Sequence, residues 1–442
     1  MKNLTKTFTL ELLKFRKQGL EVSDINPISA LADTIFEKLY SGKIKKKDIS
    51  YTLEKISQDL MKAQITNLKK KVSLSNKKFN INFNNLDITK PVYQAVFTAH
   101  PVFRFTKNLS NEISKNASDK AKAKIKNIIN IRDGISLEEE HNEAIKAIFN
   151  ARDAINDINF EIINENKKIN KNWKNELPLL LGVSTWVGYD LDGRSDINWR
   201  TSFALRLKEK KQSLEYYIKN LNFLKISEVN SIVNSLKKEL DDTNLAIESF
   251  SNINKSTKHF SKNINNFTNR PSKLCSSFSI SEKIHNIAIK LSDDEDITNL
   301  MLIAADIRKH GFGVGEIHLR VNATQVRNAM RPVDGKGIYI SKSEVSSRVL
   351  MDRLSKLIIN DKPWTINFKN LELESSTARR QLMLAKQILK YIDKDQPIRF
   401  LIAECEKPIT ILSALYLAKK LGIDHKVDIS PLFETTKALE HG

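Results

Sequence analysis

The stretch that decides the fold is Ile398-Arg399-Phe400-Leu401-Ile402-Ala403, then an apolar helical pattern from Ile409 to Leu421 closed by Gly422, then Val427-Asp428-Ile429-Ser430-Pro431-Leu432. Its two outer runs are short, rich in Val, Ile, Phe and Leu, and bounded by Pro, Gly or charge, which reads as strand. The middle segment has apolar residues at three- and four-residue spacing and ends at a glycine, which reads as helix. A strand–helix–strand unit implies parallel pairing, because a tight hairpin joins only antiparallel strands.

Three more runs of the same character lie upstream, at Val92 to Thr98, Leu179 to Trp186 and Gly313 to Val321. Most of the rest reads as helix, as in Leu137 to Lys167, Thr201 to Leu224 and Val345 to Ile359. Asp293-Asp294-Glu295-Asp296 precedes the pattern from Ile297 to Lys309, where acids favour a helix N-terminus. The Asn- and Ser-rich stretch from Asn252 to Ser279, punctuated by Pro271, is expected to be an exposed loop or linker. The fold class expected is α/β and predominantly helical: a partial, five-strand parallel β-barrel of the TIM-barrel type with many extra helices. Residues 1–90 form an N-terminal helical region in this reading. Residues 91–442 form the incomplete barrel, with a long helical insertion at about 200–310. Such a barrel needs eight strands, and an open sheet exposes edges, so further strands are expected after Gly442 or from another chain.

Composition bounds the function only loosely. Hydrophobic residues make up 40% of the 442 and charged residues 28%, ordinary for a globular protein. No apolar run approaches the roughly 20 residues that cross a bilayer, and the opening Met1-Lys2-Asn3-Leu4-Thr5-Lys6 lacks a secretory apolar core. Cys275 and Cys405 have no metal-like spacing and suggest no disulfide framework, so a cytoplasmic location is expected. The net charge of +20 comes from 55 Lys and 17 Arg spread along the chain. Runs such as Lys45–Lys47 and Lys69–Lys71 fit solvated helix faces, so nucleic acid is not the expected partner.

The polar residues fall at the carboxyl ends of the apolar runs. The first run ends in His100, the second in Asp190 and Asp192, the third in Arg320, the fourth in Glu404 and the fifth in Glu434. Reactive side chains at the carboxyl ends of successive parallel strands mark the active face of a barrel. His100, fixed by Pro101, suits a base or donor near neutral pH, or a satisfied structural role. Trp186-Val187-Gly188-Tyr189-Asp190-Leu191-Asp192-Gly193-Arg194 reads as a tight hydrogen-bonded loop, either structural or catalytic, and lacks EF-hand spacing. Gly311-Phe312-Gly313-Val314-Gly315 is no dinucleotide loop, since it follows a helix and precedes a strand. Arg320 offers a planar fork to a carboxylate or phosphate, or a salt bridge to the protein itself. Glu434 could be an oxygen ligand for Mg²⁺ or Mn²⁺, or cap a helix.

Taken in order, these segments resemble phosphoenolpyruvate carboxylase. Phe97-Thr98-Ala99-His100-Pro101 looks like the family's catalytic-histidine motif, and Thr185 to Gly193 like its Ser-Trp-Met-Gly-Gly-Asp-Arg-Asp-Gly segment. Phe312 to Arg320 is similar to the strand ending Leu-Asp-Ile-Arg, and Ser430 to Thr435 to Ala-Pro-Leu-Phe-Glu-Thr. The resemblance implies an eight-stranded barrel assembled as a tetramer, which joins phosphoenolpyruvate and bicarbonate into oxaloacetate and phosphate. It implies His100 as the base that deprotonates carboxyphosphate. Substrate contacts would come from Arg320, Trp186, Asp190 and Asp192, and one ligand to Mg²⁺ or Mn²⁺ from Glu434.

The sequence also departs from the family. Val102 and Phe103 stand where Thr and Glu or Gln usually follow the His-Pro pair. Tyr189, Leu191 and Arg194 replace Gly, Arg and Asn, and Val321-Asn322 replaces Gln-Glu. The Ser-Asp-Ser-x-Lys-Asp-Ala-Gly segment and the Gly-Arg-Gly-Gly loop are absent from the 442 residues. The expectation is therefore the N-terminal portion of such an enzyme, needing a complementary half or homo-oligomer and inactive alone. The alternative is a non-catalytic interaction protein derived from the same fold.

Overall fold

All five apolar runs become strands of one sheet: β1 Tyr93–Phe97, β2 Leu181–Thr185, β3 Glu316–Asn322, β4 Ile398–Ala403 and β5 Val427–Pro431. Every neighbouring pair is parallel and the spatial order is β1-β2-β3-β4-β5, the order of the chain. The computed structural model behind these statements describes residues 3–22, 26–75, 87–98, 106, 108, 111, 135–191, 196–251, 257–270, 274–331 and 347–441. The architecture is α/β and mostly helical, as the sequence implied.

The chain divides into two units. One comprises Met1–Ile81 and Pro101–Ile135 and contains the helices Thr5–Glu21, Pro27–Tyr40 and Lys46–Ser75. Asn26 caps the second of these by accepting the Ile28 and Ser29 N–H groups at 3.0 and 3.2 Å, with Pro27 preset for the first turn. Asn82–His100 and Ser136–Gly442 form the other unit, which holds the sheet.

Local chemistry sets the helix ends in the second unit. Ser136 and Glu139 form a reciprocal capping box at the start of Leu137–Ile169. Asp293 accepts the N–H groups of Glu295 and Asp296 at 3.0 and 2.9 Å, so the acidic run does begin the helix Asp294–His310. Pro408 occupies the first turn of Pro408–Lys420, and Gly422 takes φ +66° beyond its end. The expected loop at 252–279 needs correction, because it contains the helix Thr257–Thr268 and the start of Ser277–Ala288. Its Asn- and Ser-rich composition conceals Ile264 and Phe267, three positions apart, which pack on the main core.

The sheet has two unlike faces. Ile317, Leu319 and Val321 of β3, Phe400 and Ile402 of β4 and Val427 of β5 are buried in the largest core cluster. Leu382, Ile388, Leu417 and Leu421 meet them there from the helices that follow β3 and β4. Each such burial contributes about 1.5–3 kcal/mol, so this face fixes the strand register. The alternate positions of β3, Glu316, His318, Arg320 and Asn322, are polar. Gln94 of β1 donates to Glu316 at 3.0 Å, and Glu316 also faces His318 at 3.6 Å and Arg399 at 3.4 Å. Arg399 lies 3.9 Å from Asp428 of β5. Burial raises the Glu316 carboxyl, but the nearby His318, the hydrogen bond from Gln94 and the Arg399 charge bring it below its ordinary value. Parallel sheets with helices on both faces read as continuous apolar runs, and this alternation is different.

Candidate functional site

Arg320 is the hub at the carboxyl ends of the strands. Its Nη1 lies 3.6 Å from Asp190 Oδ2, and its Nη2 donates to Glu434 Oε2 at 3.3 Å. Its guanidinium carbon sits 6.0 Å from the centre of the Trp186 ring, and that ring is 6.4 Å from His318. Four sequence-predicted residues from three separate runs, Trp186, Asp190, Arg320 and Glu434, thus meet at one edge of the sheet. His100 and Asp192 lie outside the described residues.

The Trp186–Leu191 segment is positioned by backbone bonds to β3. Arg320 N–H donates to the Tyr189 carbonyl at 3.4 Å, and Leu191 N–H donates to the Arg320 carbonyl at 3.3 Å. These two bonds form an isolated parallel bridge between Asp190 and Arg320. Gly188 turns the chain at φ +91°, where a Cβ would come within 2.5 Å of Leu205. Ser202 Oγ then donates to the Gly188 carbonyl at 2.7 Å.

Beneath the loop lies a buried network that the sequence reading missed. Tyr189 is fully buried and its hydroxyl donates to Glu209 Oε1 at 2.7 Å. The same oxygen pairs with His141 Nε2 at 2.9 Å, and Arg206 Nη1 donates to Glu209 Oε2 at 2.5 Å. Burial raises the Glu209 carboxyl, yet the Arg206 charge and the bonds from His141 and Tyr189 prevail and hold it down to about 2. Burial, with the Glu209 charge, pushes the Tyr189 phenol well above its ordinary value. Tyr189, read as a departure from the family motif, is therefore the anchor of the loop. The one sequence signal was Arg206-x-x-Glu209, a pair on one helix face.

Gly313 and Gly315 serve this network. A Cβ on Gly313 would fall 2.0–2.2 Å from the Arg206 guanidinium, and one on Gly315 would be 2.5 Å from the Val183 carbonyl oxygen. Arg206 also donates to the Gly315 carbonyl at 3.2 and 3.1 Å. Close packing explains these glycines without a phosphate.

At the other side of the hub, Glu404 takes φ +54° just after β4, and its N–H donates to Glu434 Oε1 at 3.3 Å. Leu432 N–H donates to the Ile402 carbonyl at 2.9 Å, which carries β4–β5 pairing up to the site. The Glu434 carboxylate thus faces a guanidinium and a backbone N–H. No group of three His, Cys, Asp or Glu among the described residues converges as a metal site. The described residues therefore do not by themselves fit Mg²⁺ or Mn²⁺. What they do form is an arginine fork with exchangeable partners, since the side chains of Arg320, Asp190 and Glu434 are 22%, 19% and 40% exposed. Ion pairs this open contribute about 0–1 kcal/mol, so an incoming oxyanion can replace them at small cost.

No helix among the described residues is long and apolar enough to cross a membrane. Neither a scan against protein-family models nor a search of curated proteins returns a match.

Proposed function

We propose that this chain contributes the phosphoenolpyruvate-binding part of a phosphoenolpyruvate carboxylase site, on one wall of a TIM-type barrel. The convergence of Trp186, Asp190, Arg320 and Glu434 carries the proposal. The strand order, which follows the chain without reversal, supports the barrel reading, as does the polar face running across β1, β3, β4 and β5.

In this reading Arg320 exchanges its carboxylate partners for the substrate phosphate, and Asp190 and Trp186 keep the fork oriented. Bicarbonate oxygen attacks phosphorus as the bond from phosphorus to the enol oxygen breaks, giving carboxyphosphate and enolate. His100, just past β1, takes the carboxyphosphate proton, so that carbon dioxide and phosphate separate and the enolate captures the carbon dioxide. Glu434 is the residue offered to Mg²⁺ or Mn²⁺. The described residues do not complete that set, and no step is assigned to the ion. The oligomer or complementary half that the resemblance implies belongs to the same proposal, as does a cytoplasmic location.

The test is oxaloacetate formation from phosphoenolpyruvate and bicarbonate with Mg²⁺ or Mn²⁺, using the chain alone and with the C-terminal half of a carboxylase. Turnover in either case that disappears in His100→Ala and Arg320→Gln supports the proposal. Failure of folded chain and half together, with no phosphoenolpyruvate binding, overturns it and leaves the non-catalytic reading.

A further inference from the structure

A second polar cleft is built from residues that the Arg320 site does not use. It has a volume of about 620 Å³ and lies between the end of the helix Ala323–Ala329, the segment from Asn370 to Ser376, and the first turn of the helix Thr377–Tyr391. That volume falls within the range of small-molecule sites.

Its chemistry is cationic and donor-rich. Arg379, only 6% exposed, projects from the first helical turn. Its Nη1 meets Glu374 Oε2 at 3.1 Å, and its Nη2 donates to the Ala329 and Arg331 carbonyls. The Nε of Arg379 is buried without an acceptor. Arg331 is exposed and lines the same cleft. Ser376 stands at the N-cap position, yet its side chain makes no capping bond and its Oγ is buried without a partner. The first-turn N–H groups of this helix therefore lack the side-chain cap that Ser normally supplies. Glu374 is the only carboxylate among the described lining residues, and both its oxygens are engaged. Oε1 accepts the Ser376 N–H at 2.8 Å, and Oε2 faces Arg379.

We propose that this cleft binds a small organic phosphate. The phosphate would sit at the helix N-terminus beside Arg331 and the Arg379 charge, with the idle Ser376 hydroxyl rotating towards it as a donor. Leu373 and Met383 line the cleft and suit the carbon skeleton. Aligned N–H groups, a helix dipole and two guanidinium groups favour a dianion over a neutral ligand.

The experiment is calorimetric titration of the full chain carrying Arg320→Gln, so that the proposed carboxylase site is silenced and the two readings fail independently. Glycerol 3-phosphate and inorganic phosphate are the probes, with succinate as the carboxylate arm. Binding of the phosphates is expected to persist in this background. Adding Arg331→Gln or Ser376→Ala should weaken it about tenfold, the effect of losing one charge-assisted bond. Both substitutions spare the carbonyl bonds of Arg379, and circular dichroism checks that the variants fold. Absence of phosphate binding in the Arg320→Gln chain overturns the site, as does affinity unmoved by both added substitutions. Succinate binding as tightly as glycerol 3-phosphate overturns the phosphate assignment.

Discussion

Arg320 and Glu434 are 114 positions apart in sequence and meet at 3.3 Å across the carboxyl ends of β3 and β5. The pair is made by topology, since β4 lies between their strands and all three run parallel, which brings both carboxyl ends to one edge. Because the pair is solvent-exposed, Glu434 competes with any anion for the same fork.

That competition gives an asymmetric prediction. In metal-free buffer, Glu434→Gln should raise affinity for phosphoenolpyruvate about threefold, by releasing the guanidinium from a screened pair. Arg320→Gln should lower it about tenfold or more, by removing the charge-assisted donors. Calorimetric titration with a chelator present reads both. Losses of similar size in the two variants would show that Glu434 does not compete for the fork.

Acid should unfold this chain through two buried carboxylates. Asp306 is raised by burial but overcome by the Arg152 charge and the His310 bond, and it is held down to about 2, as Glu209 is. In the unfolded chain both titrate near about 4, so on acidification the unfolded state takes up protons first. Stability present above about pH 5 should fall as pH drops towards about 2, by an amount on the order of 2–3 kcal/mol for each group. His310, pushed down by burial, adds loss in the same direction below its ordinary 6.5. Asp393, raised by burial, partly opposes it. Urea melts between pH 7 and pH 3 should show this slope, and Glu209→Gln should flatten it.

Much of this was legible in the sequence, for a physical reason. Strands buried on one face write their limits as short apolar runs, and β4 at Ile398–Ala403 matches its run residue for residue. Carboxyl ends of parallel strands lie on one edge, so Trp186, Asp190, Arg320 and Glu434 could be grouped before any contact was known. The support beneath them could not. His141 and Glu209 are 68 positions apart on different helices, and their pairing depends on how those helices pack. The cleft at Arg379 was equally hidden, because its value lies in bonds Ser376 does not make. The helix at Thr257–Thr268 was missed because polar composition outweighed two core-facing apolar positions.

Gly313 and Gly422 should respond very differently to alanine. A Cβ on Gly313 overlaps the Arg206 guanidinium, which must leave Glu209 and the Gly315 carbonyl. Breaking a buried pair this way costs about 3–5 kcal/mol. At Gly422 the nearest atoms are those of Pro363 at 3.4 and 3.6 Å, so only the left-handed backbone resists, at about 1–2 kcal/mol. Denaturant midpoints compare the two.

Tyr189→Phe separates support from mere stability. The change removes one hydrogen bond to Glu209 and leaves a buried oxygen held by His141 alone, which should cost about 1–3 kcal/mol. The Tyr189 carbonyl also accepts the Arg320 N–H, so loosening the ring should disorder the fork that Arg320 presents. Phosphoenolpyruvate affinity should fall several-fold, on the order of 1 kcal/mol, in protein that is still folded at the assay temperature. Arg152→Lys, in the separate network around Asp306, should lower stability by a comparable amount while leaving affinity unchanged. Equal affinity in both variants would mean that Tyr189 holds the core together without positioning Arg320.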